Sequence, residues 1–384
     1  MILDPKRAWT TIGASMLALT ASLTVLADNP NAGLKGMSPD DNAMPENVAG
    51  LNATGLKRMA GTRHFYATGE FLYWRAYEDG MDFAQKAHIE IPAGQGLELA
   101  NSKVHNLHFH YGPGVRAGIG YYMPHSDWDL FAQWTYLHPI ARKKINGFNN
   151  YNLSSGAIGD YFFPTRSVES LTPLHGADGH WGVVYHTATL ELGRVFSFNR
   201  WLSLRPHFGL MSAWINQKIK VEYDHFTTGP VVEPERILVK QRNNFWGIGF
   251  RAGLDTRWPL SQGFSIYGNF AAALLWGHFH LSDHQAGDPS TVFGSNQARF
   301  ISSIFSSIER LRPNLQAALG LRWDKYIKKN RYHWGVNVGY EFNEWFDQNE
   351  LYRIVSSNFS LQNLTHPGGD FGFQGWNFGL RFDF

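Results

Sequence analysis

The amino-acid sequence predicts an all-β fold, a transmembrane antiparallel β-barrel of about ten strands, with twelve or more strands left open, short periplasmic turns and long outer loops. Residues 371–384 alternate strictly between apolar and polar side chains, and similar segments recur from residue 64 onward. After the first 27 residues, no apolar run approaches the ~20 residues that a membrane helix needs. A barrel strand shows such alternation because only every second residue faces lipid.

The end of the chain carries the clearest alternation. One face is apolar and comprises Trp376, Phe378, Leu380, Phe382 and Phe384. The other face is polar or Gly-rich and comprises Gly375, Asn377, Gly379, Arg381 and Asp383. A closing strand with a terminal Phe resembles the recognition signal that Gram-negative outer-membrane barrels present to their assembly machinery. We therefore expect the apolar face to be an assembly signal and the chain to lie in the outer membrane, exposed at the cell surface; a soluble β protein is the alternative.

The first 27 residues have the pattern of a secretory signal peptide. Lys6 and Arg7 precede an apolar stretch, and Val25 and Ala27 occupy the −3 and −1 positions of a cleavage site. The alternative is an N-terminal anchor helix. The next segment is rich in Asn, Asp, Gly and Pro and has no periodicity, which is typical of disorder. The predicted domain order is a signal peptide (1–27), a disordered periplasmic segment (28–62) and an outer-membrane β-barrel (63–384).

Composition narrows the function classes. The chain has 34 Lys and Arg against 32 Asp and Glu, a net charge of +2, which argues against nucleic acid as a partner. Aromatic residues make up 15% of the chain and there are 39 Gly, with a mean hydropathy of −0.30. Moderate hydropathy with many aromatic residues and glycines is typical of a barrel. The absence of Cys excludes disulfides, thiolate metal sites and thiol nucleophiles.

Turn and loop signals alternate along the chain. Four connections are tight, at 124–127, 198–200, 259–263 and 326–330, and five polar stretches are longer, at 91–104, 146–179, 227–239, 284–306 and 347–370. With the tight turns in the periplasm, both chain termini lie there too. The predicted strands are 64–90 (with a break near 78–80), 105–123, 128–145, 180–197, 201–226, 240–258, 263–283, 307–324, 331–346 and 371–384.

The length of one predicted strand matches the apolar thickness of an outer membrane. Trp246 and Trp258 bracket an apolar alternating set about twelve residues long. At ~3.3 Å per residue and ~45° tilt this is roughly 28 Å, close to the ~25 Å apolar band of outer-membrane barrels. The inward set on the predicted strands is charged, and we expect it to line a pore: Arg116, Glu191, Arg205, Arg251, Asp255, Arg257, Arg322, Glu341 and Arg381.

The mixed signs of these charges predict weak ion selectivity. In the alternative interpretation they pair into a network that plugs a narrow barrel. Inward glycines argue against the plug, because they leave space or permit sharp curvature: Gly118, Gly120, Gly247, Gly249, Gly253, Gly335 and Gly339.

Histidine motifs suggest two other functions, metal binding and proteolysis. His108 and His110, like His278 and His280, share a strand face and have a chelating spacing, but the sequence identifies no third ligand. The pairs Asp224-His225 and Asp283-His284 lie near predicted strand ends, as acid–His pairs do in barrel proteases, yet adjacent side chains point to opposite faces. We therefore predict no enzyme activity, no metal site and no cofactor.

Several segments resemble the Legionella-type pore-forming major outer-membrane protein family, which also occurs in environmental chlamydiae. They are 71–80, 114–125, 128–130, 190–194, 202–209, 345–349 and 369–375, and the resemblance extends from Phe65 to Phe384. It implies an abundant surface barrel that acts as a general diffusion pore. Better-known members form disulfide-linked assemblies, which this chain without Cys cannot form, so any homo-oligomer is non-covalent.

The resulting expectation is a porin that allows passive diffusion of ions and small hydrophilic solutes. The alternative is a closed structural or adhesive barrel whose outer loops bind host or neighbouring proteins. Expected partners are outer-membrane lipid and the barrel assembly machinery.

Overall fold

The computed structural model describes residues 65–90, 98–123, 126–146, 159–167, 174–226, 234–287, 299–327, 332–358, 361–365 and 368–384. The predicted signal peptide and the predicted disordered segment lie outside these residues. Within the described ranges, no helix is long and apolar enough to cross a membrane.

The described chain consists mainly of β-strands. They are β1 (Phe65–Glu78), β2 (Asp82–Glu90), β3 (Glu98–Asn106), β4 (Tyr111–Tyr122), β5 (Trp128–Leu137), β6 (Ile140–Asn146), β7 (Gly159–Pro164), β8 (Leu174–Arg194), β9 (Phe196–Asn199), β10 (Leu202–Phe226), β11 (Pro234–Pro259), β12 (Phe264–Gly287), β13 (Arg299–Ile327), β14 (Tyr332–Trp345), β15 (Arg353–Asn358), β16 (Leu361–Thr365) and β17 (Phe371–Asp383).

Ten of these strands close into an antiparallel ring. The order is β8-β5-β4-β1-β17-β14-β13-β12-β11-β10, and β10 pairs back onto β8. The last strand of the chain pairs with the first, β17 with β1, as in up-and-down barrels. The predicted ten-strand antiparallel barrel is confirmed.

The first predicted strand divides where the sequence indicated a break. β1 ends at Glu78, and Gly80 follows with a φ of 74°, a backbone conformation that favours glycine. The chain then leaves the ring, because β2 pairs with β3 and β7 instead of continuing along β17. β6 extends the line of β5 along β8, and β15 pairs with β16 in a separate hairpin.

Parts of the polar stretches that the sequence indicated as loops are strand. β10 to β13 are 24 to 29 residues long, and β11 already begins at Pro234. The predicted loop bounds at 91–104, 146–179, 227–239, 284–306 and 347–370 were therefore too wide, although parts of each lie outside the described residues. Beyond the lipid belt the outward side chains become polar, while inward ones such as Val221 and Val239 stay buried. A prediction that defines a strand by its apolar outward face therefore ends the strand too early.

The outward face of the ring is an apolar belt. Phe250 is 80% exposed and Leu319 is 62% exposed, and both predicted boundary residues, Trp246 and Trp258, face outward. Such a continuous exposed apolar surface needs lipid around it. Similar outward exposure is found at Phe71, Val115, Ile119, Leu190, Ile248, Leu274, Leu321, Phe378 and Leu380.

The two ends of the barrel differ. Phe65 and Phe384 lie together at one end, where the Phe384 amide donates to the Phe65 carbonyl at 3.0 Å. The strand ends that flank the predicted tight turns before β5, β10, β12 and β14 lie at this end too, which we call the turn end; the opposite end is the loop end. In the closing strand, Trp376, Phe378 and Leu380 face outward, and the rings of Phe382 and Phe384 stack at 5.7 Å. Their role as an assembly signal stays a prediction.

Candidate functional site

The inward face changes character along each long strand. On β11, Arg257, Asp255 and Arg251 point inward near the turn end, whereas Phe245 occupies the same face farther along. Because inward residues of neighbouring strands lie side by side, the change occurs at a similar level around the ring. The lumen therefore has a charged chamber toward the turn end and an apolar layer toward the loop end.

The chamber contains a cavity of about 190 Å³. All nine residues that the sequence indicated as pore-lining border it: Arg116, Glu191, Arg205, Arg251, Asp255, Arg257, Arg322, Glu341 and Arg381. The strand alternation thus brings them together on one inner surface. That this surface conducts solutes stays a prediction.

Arg116 connects three neighbouring parts of the chamber wall. Its guanidinium donates to Glu70 at 2.9 Å and to Glu341 at 2.7 Å, and its Nε donates to Thr135 at 3.2 Å. Glu70 and Glu341 lie on β1 and β14, on opposite sides of β17, so this arginine ties together strands that are not adjacent. Sequence alternation identified Arg116 and Glu341 but missed Glu70, although Glu70 lies on the same face as Tyr66.

Arg205 is the centre of a second ion network. It donates two hydrogen bonds to Asp129, at 2.7 and 2.8 Å, and one to Asp255 at 2.8 Å. Asp129 is fully buried and also accepts a hydrogen bond from Tyr66. Buried charges need such partners, because an unpaired one loses its hydration without compensation. Beside this network, Arg251 contacts Glu191 and donates to Gln316 at 2.8 Å.

A third network lies nearest the turn end, around Asp324. Arg322 donates to this carboxylate at 3.0 Å, and Arg257 also contacts it. The ring of His333 lies between Asp324, at 2.8 Å, and Asp383. The contact of His333 with Asp383 joins the closing strand to the network, and Arg381 of the same strand donates to Asp383 at 2.8 Å. His333 was missed in the sequence because it lies at the start of a strand, where alternation is hard to phase.

The chamber is therefore lined by paired charges of both signs. The cations are Arg116, Arg205, Arg251, Arg257, Arg322 and Arg381, and the carboxylates are Glu70, Asp129, Glu191, Asp255, Asp324, Glu341 and Asp383. Such a wall holds strands together and presents little net charge to an ion.

The inward glycines do not leave open space, contrary to the expectation from sequence. A side chain at Gly120 would meet the ring of Tyr66, and one at Gly339 would meet Tyr267. At Gly335 the nearest atom is the Arg322 guanidinium, 2.8 Å from an added Cβ. These glycines make room for large neighbouring side chains. The same holds at Gly118, Gly247 and Gly253, and Gly249 lies against the neighbouring backbone.

An apolar seal crosses the lumen above the chamber. We use this name for the buried residues Leu72, Trp74, Phe83, Tyr185, Met211, Ile215, Phe245, Leu275, Phe279, Trp345, Phe371 and Phe373. Tyr185 contacts Phe373 with ring centroids 4.7 Å apart, and Phe245 contacts Trp345 at 6.1 Å. In both pairs the strands are separated by others in the ring, so the contacts run across the barrel.

Polar groups fix this seal in place. The Tyr185 hydroxyl accepts hydrogen bonds from Asn343 at 3.1 Å and from Trp345 at 3.3 Å. Above it, the fully buried Arg166 donates to the Asp82 carbonyl and to Gln241, both at 2.7 Å. Arg166 belongs to the predicted 146–179 loop, of which 159–167 and 174–179 are described, so part of that stretch enters the barrel mouth.

The histidine motifs lie outside this site. His108 and His110 have rings 4.6 Å apart, and His278 and His280 have rings 4.5 Å apart, but in the described part of the chain no group of three metal-ligating side chains forms. Asp283 is buried and bonds Gln241, whereas His284 is exposed on the other face of the strand. This agrees with the predicted separation of the two side chains.

A closed antiparallel ring with an apolar outer belt defines a β-barrel membrane protein. The chain belongs to the family described as the Legionella pneumophila major outer membrane protein precursor, whose family model matches residues 61–384. The resemblance found in the sequence motifs is thereby confirmed, and the protein is an outer-membrane protein.

Two solved structures of outer-membrane proteins are distant matches. A FadL homologue from Pseudomonas aeruginosa is 9% identical over 84% of this chain and 90% of that chain, with a TM-score of 0.27. OmpT of Vibrio cholerae, in an in-vitro folded trimer form, is 11% identical over 80% of this chain and 99% of that chain, with a TM-score of 0.16. No curated protein matches the chain.

Proposed function

We propose that this protein is a gated pore of the outer membrane, through which ions and small hydrophilic solutes diffuse passively when the apolar seal is displaced. The observation that carries the proposal is the charged chamber inside a membrane barrel. A barrel that only needed rigidity could fill its interior with apolar side chains, as the loop half of this one does. Charged groups of both signs along a cavity suit water and small ions of either sign.

Because the seal closes the lumen, we propose a gated pore and not a permanently open one. Trp345 contacts both Tyr185 and Phe245 across the lumen, so solute passage requires these rings to move apart. The seal is held partly by segments that are not ring strands, such as the one that carries Phe83. Trp345, Tyr185 and Phe245 themselves lie on ring strands, so we propose that displacement of such a segment toward the outside gives these three side chains room to rotate aside while the ring stays closed.

Bilayer recordings test the pore. Purified protein in a planar bilayer should show small, discrete conductance steps with little preference between cations and anions. The double variant Arg251→Gln with Arg322→Gln should shift the reversal potential in the direction of cation selectivity, because two positive charges are removed from the chamber wall. A matched control, Arg194→Gln with Lys325→Gln, removes the same charge from outward positions and should leave the potential unchanged.

The orientation is tested separately by labelling. We propose that the loop end faces the outside and is exposed at the cell surface. A cysteine at His284, which is exposed at the loop end, should react with an impermeant thiol reagent on intact cells, whereas one at Asn199 at the turn end should not. The reverse pattern would contradict the orientation.

The second candidate is a closed structural or adhesive barrel. The apolar seal favours it, because a permanently packed lumen excludes water. Its outer loops would bind host or neighbouring proteins. A protein that inserts, shows heat-modifiable folding and yet conducts nothing, even with the seal residues truncated, would establish this candidate in place of the pore.

The remaining features of the proposal concern partners. We propose that the protein acts without enzymatic chemistry and without a cofactor, that its closing strand is recognised by the barrel assembly machinery, and that any homo-oligomer is held by non-covalent contacts. The last point rests on the absence of Cys from the sequence.

A further inference from the structure

A row of basic side chains follows the outward face just beyond the aromatic boundary at the loop end. Trp214 pairs directly with Trp246 in neighbouring strands. Four residues farther along the same two strands, Lys218 pairs with Arg242. Four residues at ~3.3 Å and ~45° tilt place these cations about 9 Å beyond the tryptophans along the membrane normal. This is the depth of lipid headgroups, next to the apolar belt.

The basic residues stand opposite one another in the sheet. Lys218 lies directly opposite Arg242, and the next outward pair is Lys220 opposite Lys240. Like charges at directly opposed positions destabilise a sheet. Two successive such pairs on one face therefore need an anion between or above them to offset the repulsion.

The protein does not supply enough anions itself. Lys220 pairs with Glu222 at 2.5 Å, and nearby Asp178 pairs with Arg142 at 2.7 Å. Within the described residues, Lys218, Lys240 and Arg242 have no carboxylate within 4.0 Å. Three exposed cations are thus left on the surface that faces the headgroup region.

A hollow of about 310 Å³ lies beside Arg242 on the outward side of β11, β12 and β13. Its wall includes Arg242, Asn244, His280 and Ser307, and the His280 ring and the Ser307 hydroxyl are 3.0 Å apart. Phe305, which is 77% exposed, forms an apolar edge. A guanidinium with amide, imidazole and hydroxyl groups around it suits a phosphate group, and the apolar edge suits the adjoining lipid.

We propose that Lys218, Lys240, Arg242 and the adjoining hollow bind the phosphate groups of an outer-leaflet phosphorylated glycolipid. The charges are complementary, and the surface is continuous with the lipid-facing belt. Basic clusters at the membrane surface attract anionic lipid headgroups, and Arg binds phosphate in a bidentate manner. This inference rests on the proposed orientation of the loop end, but it does not require conductance.

A binding titration with purified, folded protein in zwitterionic detergent tests the site. The probe is bisphosphorylated lipid A, and native mass spectrometry counts the bound lipid. The triple variant Lys218→Gln, Lys240→Gln and Arg242→Gln should bind about tenfold more weakly than the wild type. Dephosphorylated lipid A should bind both proteins weakly, and inorganic phosphate at equal concentration should not displace lipid A from the wild type.

The matched control removes three cations from the turn end, Arg194→Gln, Arg200→Gln and Lys325→Gln, and should bind within about twofold of the wild type. Without lipid, the loop-end triple variant should melt no lower than the wild type, because like-charge repulsion is removed. The inference would be overturned if the wild type and the loop-end variant bound lipid A equally, or if the control lost as much binding as the loop-end variant. It would also be overturned if inorganic phosphate displaced lipid A, or if the loop-end variant melted at a lower temperature than the wild type. None of these outcomes bears on conductance, which the bilayer recordings test separately.

Discussion

The two halves of the lumen solve the same packing problem in opposite ways. The chamber is filled by charged side chains that pair across strands, as Arg205 does with Asp129, whereas the seal is filled by rings such as Phe245 and Trp345. Burying ion pairs contributes little net stability but costs much when one partner is lost. Apolar packing contributes stability directly and excludes water. Under the proposed function, the charged half serves the solutes and the apolar half closes the pore.

The largest expected effect concerns the chamber. Arg205→Met leaves Asp129 buried without its cation, and we expect the free energy of unfolding to fall by about 3–5 kcal/mol. Urea unfolding in detergent, followed by tryptophan fluorescence, measures the change. The double variant with Asp129→Asn should recover much of the loss, since the fully buried Asp129 then carries no charge, and Asp255, the other partner of Arg205, is partly exposed. A single variant as stable as the wild type would show that this network is not structural.

The next effect concerns the lipid face of the barrel. Phe250 is 80% exposed on the apolar belt, so Phe250→Arg should destabilise the folded barrel by about 2–4 kcal/mol in lipid. Phe250→Leu is the matched control and should cost less than about 1.5 kcal/mol. The stability of both variants is measured by folding them into vesicles of defined lipid and following their heat-modifiable mobility on gels. A harmless arginine would mean that the strand register is shifted by one residue.

The smallest of these effects tests how the seal is fixed. Tyr185→Phe removes the hydroxyl that accepts from Asn343 and Trp345, and two donors lose their partner. We expect a loss of about 1–3 kcal/mol in the free energy of unfolding. The exposed Tyr73→Phe should change stability by no more than about 0.5 kcal/mol. If the two variants behave alike, the hydrogen bonds do not hold the seal.

The same comparison explains what the sequence could predict. The ring of ten strands follows from alternation, because lipid favours apolar residues at the outward positions of the membrane band. The nine pore-lining candidates share one cavity for the same reason: once the outward face is known, the inward one is too. Strand alternation thus locates the chamber without identifying the partner of each charge.

The seal could not be recognised by a search for an apolar outward face. On β11, Phe245 is inward and Asn244 outward, whereas Trp246 is outward and Arg251 inward, so the apolar face switches sides at the end of the belt. That switch is visible in the sequence and is the signal that could have identified the seal. The pairing of charges and the entry of Arg166 into the mouth depend on contacts between distant parts of the chain, for which alternation gives no information.

The central claim is that the apolar half is the barrier to flow. The most direct measurement is the single-channel conductance of Phe245→Ala with Phe279→Ala, two contacting seal residues whose rings lie 4.7 Å apart. The control is Phe250→Ala with Leu274→Ala, an outward pair at directly opposed positions on the same two strands. We predict several-fold larger conductance, or more frequent opening, for the seal variant and wild-type behaviour for the control. Seal-variant conductance equal to that of the wild type, in protein shown to be folded, would contradict the claim.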